Sequence, residues 1–515
     1  MTKSIMVQGT MSGAGKSLLV TALCRILRED GFRVTPFKSQ NMALNSYITK
    51  DGLEMGRAQV VQAQAAGIEP DVRMNPILLK PSSDVGSQLI VNGEVRGHYN
   101  ARNYFAMKRS LVPSIMEAYA SLAAEHDVIV IEGAGNPAEI NLRDDDIVNM
   151  GLAELVDAPV VLVGDIDRGG VFAQLYGTIA LLRDDERARV VGTVINKFRG
   201  DVEILRPGLA QIEELTGVPV LGVIPYSHAD IDDEDSLSER LSQHGVHRAA
   251  DIAIVRLPRI SNFTDFAPLE RHLALGVRYV RGRAELAHPD LVIIPGTKST
   301  MDDLLWLRQS GLEMAIRKLW DAGTPVLGIC GGYQMMGERL SDPLGIECGG
   351  EMAGMALLPC STVFCAAKTR SLTRATVAAG PCAGAVVEGY QIHMGQTTRA
   401  GGTPFCVVQP GGKQSADNDL GGADGASLDA ARPCEEDGTI DGHAMGTYLH
   451  GLFDTGEMVD ALANWLLERK GIATQDVHTL SHAEYLEQQI DLLAREVRTA
   501  LNMESIYEAM EQYER

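Results

Sequence analysis

No apolar run in this 515-residue sequence is long enough to span a bilayer, and MTKSIMVQGT leads into a strand and loop without the apolar region of an export signal. A cytoplasmic protein is expected. Basic residues are in deficit: 46 Lys and Arg stand against 68 Asp and Glu, a formal charge of -22. Such a balance argues against a general nucleic-acid or anionic-membrane surface, so any anionic ligand must meet a local basic pocket. The eight cysteines include no C-x-x-C pair, which points away from a disulfide framework or a structural zinc site and towards reduced thiols. Repeats of fixed period are also missing.

What is present is a long α/β pattern. Hydrophobic residues make up 45% and charged residues 22%, values typical of globular chains with large cores, and the length suggests two or three domains. Short β-branched runs at 4–9, 126–133, 159–165, 189–196 and 218–225 alternate with helical patterns, the first from Ser17 to about Asp30. Unbroken runs of this kind indicate parallel strands covered on both faces. A polar, acidic stretch at 228–245 reads as a linker with a short helix. A second α/β series follows, with strands at 251–258, 290–296 and 325–330, and becomes strand-rich after Met352. The Gly-, Asp- and Ala-rich stretch 409–442 is read as a surface insertion. Near the C-terminus, Ser481 and Glu484 form a capping box, and Leu486, Ile490, Leu493, Val497 and Leu501 share one helical face. The expected division is 1–230, a linker 231–250, a second domain 251–456 and a helical extension 457–515.

VQGTMSGAGKSLLV places a glycine-rich loop between a strand and a helix. Gly13 and Gly15 let backbone N–H groups approach phosphates, Lys16 neutralises the outer phosphates, and Ser17 offers a hydroxyl to magnesium. The loop departs from the strict phosphate-loop spacing, with Thr10 at the expected glycine position, and in this it resembles dethiobiotin synthetase. ATP and Mg2+ are the expected ligands. Glu132, at the C-terminal end of VIVIE, is a magnesium candidate. Glu54 is a second candidate, or an exposed glutamate at a helix start; Asn196 either reads the adenine edge or caps its strand.

VLGICGGYQMMG sets Cys330 at a sharp turn between an apolar strand and a helix, the form of a nucleophile elbow. Its thiolate is suited to attack on the amide carbon of glutamine. The Gly331 N–H, with backbone near Gly296, is the candidate oxyanion hole. His450 in GTYLHGLFD is the candidate base. A cysteine or a histidine alone is more often core packing; the two contexts together carry the assignment. His393 either lines the glutamine pocket or braces a sheet.

Over nearly its full length the sequence resembles the CobB/CobQ group of glutamine amidotransferases, and within it the cobyric acid synthases. GTMSGAGKS, PFKSQNMALNS, EMGRAQVVQAQAAG, MNPILLKPSSDVGSQ, IEGAGNPAEINL, GDIDRGGVFAQLYGT, PGTKSTMDDL, GICGGYQMMG, GYQIHMG and GTYLHGLFD carry the likeness. It implies a P-loop NTPase-like parallel-sheet domain followed by a class I glutamine amidotransferase-like α/β domain. It also implies ATP- and glutamine-dependent amidation of the b, d, e and g carboxylates of adenosylcobyrinic acid a,c-diamide. On this likeness Lys38 matches the catalytic-loop lysine of the dethiobiotin synthetase branch. Gln40, Asn41, Lys80, Ser82, Ser83, Asp165 and Arg168 become candidates for the corrinoid and phosphate cleft, against the reading that they lie in surface loops. The acidic residue that triad amidotransferases carry two positions after the histidine is Leu452 here, so the third triad member is unassigned, with Asp454 a weak candidate. Two alternatives stay open: a cobyrinic acid a,c-diamide synthase, and a ParA/MinD-like ATPase switch with a degenerate amidotransferase domain.

Overall fold

The computed structural model describes residues 2–82, 86–232, 241, 247–409, 435–474 and 478–513. The chain forms two compact units. One comprises Met1–Ala43, Met55–Glu234 and Leu486–Arg515; the other comprises Leu44–Glu54 and Asp235–Tyr485.

The first unit is built on a six-stranded parallel sheet in the order Val220–Pro225, Val190–Phe198, Val160–Asp165, Lys3–Gly9, Val128–Glu132, Val34–Phe37. Lys3–Gly9 lies between two strands that come much later in the chain, so the loop after it opens where neighbouring connections diverge, the usual ligand crevice of such sheets. The helix Lys16–Glu29 covers one face because Leu19, Leu23, Ile26 and Leu27 recur at helical spacing, and all four are buried. Each such side chain contributes about 1.5–3 kcal/mol on burial. A second sheet, Gln40–Met42, Ile77–Pro81, Gly86–Val91 and Glu94–Asn100, had not been expected as a separate layer.

The C-terminal extension expected at 457–515 is not one element. Gly456–Arg469 buries Met458, Leu462 and Leu466 in the core of the second unit. His482–Ala500 instead packs Leu486, Ile490, Leu493 and Val497, with Leu501 beyond it, into the core around Ile5, Val7 and Leu23 of the first. The capping box forms, with Ser481 N donating to Glu484 Oε2 at 3.0 Å and Glu484 N to Ser481 Oγ at 3.3 Å.

In the second unit, Leu275–Val280, Ala250–Val255, Leu291–Ile294, Val326–Ile329 and Ala444–Thr447 form a parallel sheet, with Thr439–Asp441 antiparallel at one edge. A second, mixed sheet centres on the long antiparallel pair Cys360–Val377 and Val386–Arg399. The insertion expected over 409–442 needs correction at its end. Residues 410–434 lie outside the described residues, but Glu435–Asp437 pairs with Cys406–Val408 and Thr439–Asp441 with Ala444–Thr447. Strands of three residues are too short to leave a periodic signal, and their partners in the sheet hold them. Most of the linker expected at 231–250, residues 233–240 and 242–246, also lies outside the described residues. Leu44–Glu54, expected within the first domain, belongs to the second unit. Among the described residues no helix is long and apolar enough to cross a membrane.

Candidate active site

Cys330 ends the buried strand Val326–Ile329 and precedes the helix Gly331–Met336. Its backbone, at φ 51° and ψ -108°, is in a region that L-residues rarely adopt, costing on the order of 1–3 kcal/mol and aiming the side chain out of the turn. The Sγ atom lies 3.6 Å from the carbonyl oxygen of Ile392, and the Cys330 side chain is near enough to His450 to interact with it electrostatically. Nδ1 of His450 donates to Asp265 Oδ2 at 2.7 Å, while Asp265 Oδ1 accepts from the N–H of Gly451 at 3.1 Å. Cysteine, histidine and aspartate are all buried.

Burial alone would push the His450 imidazole down, but the Asp265 charge and hydrogen bond and the adjacent Cys330 sulfur outweigh it and lift the ring to about 10. An imidazolium beside a sulfur atom is placed to hand on a proton when that sulfur acts as a nucleophile. Tyr390 stacks on the His450 ring at 5.3 Å between centroids, 21° from parallel. Gly296 is needed for close approach, because a Cβ there would lie 2.9 Å from His450 Cε1. His393 stacks on Tyr448 at 3.7 Å and places Nδ1 2.8 Å from the carbonyl of Gly395. Burial pushes its imidazole down to about 4, so it is neutral at physiological pH.

In the first unit, the loop between Lys3–Gly9 and Lys16–Glu29 carries Gly13 at φ 75° and Gly15 at φ 95°. Gly15 has two reasons to be glycine: its left-handed backbone, and the amide of Asn196, which a Cβ would meet at 2.0 Å. Asn196 Nδ2 donates to Ala14 O at 2.9 Å, and Lys197 Nζ donates to Gly13 O at 2.7 Å while pairing with buried Asp165 at 2.8 Å. These side chains tie the end of the strand Val190–Phe198 to the loop. Lys16 Nζ donates to Met11 O at 3.1 Å and Gly135 O at 3.3 Å, and Thr10 Oγ1 donates to Gln174 at 3.0 Å.

Ser17 Oγ lies 2.9 Å from Glu132 Oε1, which also receives Lys38 Nζ at 2.9 Å; Gln62 Nε2 donates to the other carboxylate oxygen at 2.5 Å. Adjacent oxygens of an octahedral Mg2+ with bonds of 2.0–2.1 Å are separated by about 2.9 Å. Ser17 and Glu132 therefore fit a magnesium ion that takes its other ligands from phosphate and water. Among the described residues no group of three or more His, Cys, Asp and Glu side chains is placed to hold a metal ion.

Residues 251–458 match the CobB/CobQ-like glutamine amidotransferase domain, and residues 5–238 match the CobQ/CobB/MinD/ParA nucleotide binding domain. A cobyric acid synthase of Lachnoclostridium phytofermentans is 53% identical over 99% of this chain and 100% of its own. Those of Ruminiclostridium cellulolyticum and Photorhabdus laumondii are 54% and 50% identical, over 99% and 98% of this chain and 98% of their own lengths. This chain belongs to the cobyric acid synthase family.

Against the residues expected from the sequence, the structure gathers Ser17, Lys38 and Glu132 into one cluster and Cys330 and His450 into another. Gln59, on the same helix as Gln62, accepts from Asn41 Nδ2 at 3.2 Å and so joins Asn41 to the first cluster's surroundings. Gln40 accepts from the hydroxyl of Tyr104, and Lys80 is buried on the adjoining strand Ile77–Pro81. Ser82 N–H donates to Gly86 O at 2.9 Å, Arg168 is exposed, and Ser83 lies outside the described residues. Glu54 differs most from expectation. Expected at the magnesium or at an exposed helix start, it is fully buried in the second unit and paired with Lys368 at 2.5 Å. Asp165 braces the phosphate loop through Lys197 instead of lying open in a cleft.

Sequence reasoning missed Asp265 and Gln62. Asp265 sits 185 positions from its histidine, and no local pattern in SNFTDFAPLE distinguishes it from an ordinary cap. Asp454, the weak candidate, is not the carboxylate on Nδ1; Asp265 is. Leu452 is packed in the core. Gln62 lies in EMGRAQVVQAQAAG, where nothing local separates it from the neighbouring Gln59 and Gln64.

Proposed function

We propose that the chain amidates the b, d, e and g side-chain carboxylates of adenosylcobyrinic acid a,c-diamide, giving adenosylcobyric acid, with glutamine as nitrogen donor and ATP as energy source. The observation that carries this reading is His450 held between Asp265 and Cys330. The Cys330 thiolate attacks the glutamine amide carbon, and the oxyanion is received by the N–H of Gly331 with backbone beside Gly296. The imidazolium of His450 gives its proton to the departing nitrogen, and ammonia leaves. Water, deprotonated by the now neutral imidazole, hydrolyses the thioester to glutamate and restores the thiolate.

In the first unit, the phosphate loop and Lys16 hold ATP. The substrate carboxylate oxygen attacks the γ-phosphorus, ADP departs, and an acyl phosphate forms. Ammonia attacks its carbonyl carbon, and phosphate leaves with the new amide in place. Lys38, fixed on Glu132 at 2.9 Å, is placed to balance charge on the transferring phosphoryl group. Mg2+, held by Ser17 and Glu132, would screen the phosphate oxygens. Lys80 and Asn41 are the proposed corrinoid contacts, with Gln40, Ser82 and Arg168 as further candidates. The partners are these small molecules, without nucleic acid or membrane. A reducing cytoplasm suits the free cysteines found among the described residues.

Mass spectrometry of the corrinoid after incubation with ATP, magnesium and glutamine tests the assignment. Four successive exchanges of hydroxyl for amino group on the a,c-diamide are expected. An unchanged a,c-diamide, with cobyrinic acid amidated twice instead, would assign the a,c-diamide synthase activity.

A further inference from the structure

The eleven-residue excursion Leu44–Glu54 leaves the first unit's chain and is built into the second. It reaches each member of the cysteine, histidine and aspartate group at one remove. Ser46 N donates to Asn262 Oδ1 at 3.0 Å, across 216 positions of sequence. Asn262, itself left-handed at φ 51°, opens the short turn carrying Asp265, whose N–H donates to Asn262 O at 3.0 Å. Tyr47 meets Tyr390 edge to face, with centroids 5.7 Å apart and planes at 62°, and Tyr390 is the ring stacked on His450. Ile48, completely buried, packs in one cluster with Tyr390 and Ile392, and the Ile392 carbonyl is the oxygen beside Cys330 Sγ. The excursion is anchored at its far end by the buried Glu54 to Lys368 pair.

We propose that Leu44–Glu54 is the positioning element of the glutamine site, acting through Tyr47 on the His450 ring and through Asn262 on the Asp265 turn. This rests on reading Cys330, His450 and Asp265 as the glutamine-hydrolysing group. Tyr47 meets the His450 ring through Tyr390, and Asn262 meets Asp265 through the backbone of its turn. Their contribution is orientation: a misplacement of about 1 Å in such a group can cost about a hundredfold in rate. The segment thus lends the amidotransferase half a set of supports that its own sequence does not contain.

The test uses the full-length protein with Tyr47→Leu and Asn262→Gly, the glycine keeping the left-handed backbone while removing the acceptor for Ser46. Glutamine-dependent kcat is expected to fall about tenfold in each, with KM for glutamine nearly unchanged and the ammonium-dependent amidation rate retained. Tyr47→Phe, which keeps the ring edge, and Asn262→Asp, which keeps an acceptor, should restore kcat. Wild-type glutamine kcat in both folded variants, or parallel loss of the ammonium-dependent rate, overturns the proposal. Cys330→Ala run alongside separates the two layers. If it still hydrolyses glutamine, the underlying site reading fails; if it is dead while Tyr47→Leu and Asn262→Gly are normal, only the positioning role fails.

Discussion

Asp265 holds His450 with one carboxylate oxygen, 2.7 Å from Nδ1, and accepts the next residue's N–H at 3.1 Å with the other. The pair of bonds fixes both the tautomer and the tilt of the imidazole, leaving Nε2 as the ring nitrogen for the sulfur of Cys330.

Asp265→Asn should therefore reduce glutamine-dependent turnover by roughly 10²- to 10⁴-fold, because an amide can present an N–H to Nδ1 and favour the wrong tautomer. Ammonium-dependent amidation measured in the same preparation should be unaffected. A loss of less than threefold would remove the aspartate from the catalytic group.

The same substitution should change the pH response. Because His450 is lifted to about 10, its stabilising contribution is complete below the ordinary imidazole value of about 6.5 and is lost as pH rises through about 10. In Asp265→Asn the charge that lifts it is gone, while burial still pushes it down. The variant should lose more Tm at pH 6 than at pH 10, and the alkaline limb of its glutaminase profile should move to lower pH.

Cys330→Ala should abolish glutamine hydrolysis and retain amidation with added ammonium salt, since only the nitrogen source is removed. Total loss of both activities in a folded protein would contradict the division between the two units. Gly296→Ala should give a milder version of the same split, because its Cβ would crowd His450 Cε1 at 2.9 Å.

Lys16→Ala should remove amidation from either nitrogen source while glutamine hydrolysis stays measurable. An ATP-binding titration reports the cause directly, and wild-type amidation would displace the phosphate-loop assignment.

Glu132→Gln tests a different property. Lys38 is 5% exposed and Glu132 1%, and removing the carboxylate breaks the buried ion pair between them at 2.9 Å, a change that costs about 3–5 kcal/mol. A clear fall in Tm is expected together with loss of amidation. Replacing both partners, Lys38→Met with Glu132→Leu, should recover much of the stability and none of the activity.

Much of this architecture could be read from residue order. The apolar runs at 126–133 and 325–330 became the strands Val128–Glu132 and Val326–Ile329, because continuous β-branched runs have few other ways to be buried. GAGKS and GICGG were legible for a related reason: phosphate cradling and a nucleophile elbow impose backbone shapes that only glycine-flanked loops adopt. The Ser481 cap and the stripe from Leu486 to Val497 showed that a helix forms, but not that it packs beside Ile5 and Val7.

The sequence by itself determined the local pieces: which residues turn, which strands are buried, where a thiol and a phosphate loop are presented. Tertiary structure alone decided that Asp265 meets His450, that Glu54 pairs with Lys368, and that Leu44–Glu54 joins the second unit. The reason is physical. Backbone shape and burial periodicity act over a few residues and leave a mark in the chain, whereas a carboxylate finds its partner through the packing of whole sheets, and nothing in its neighbours' identities records the choice.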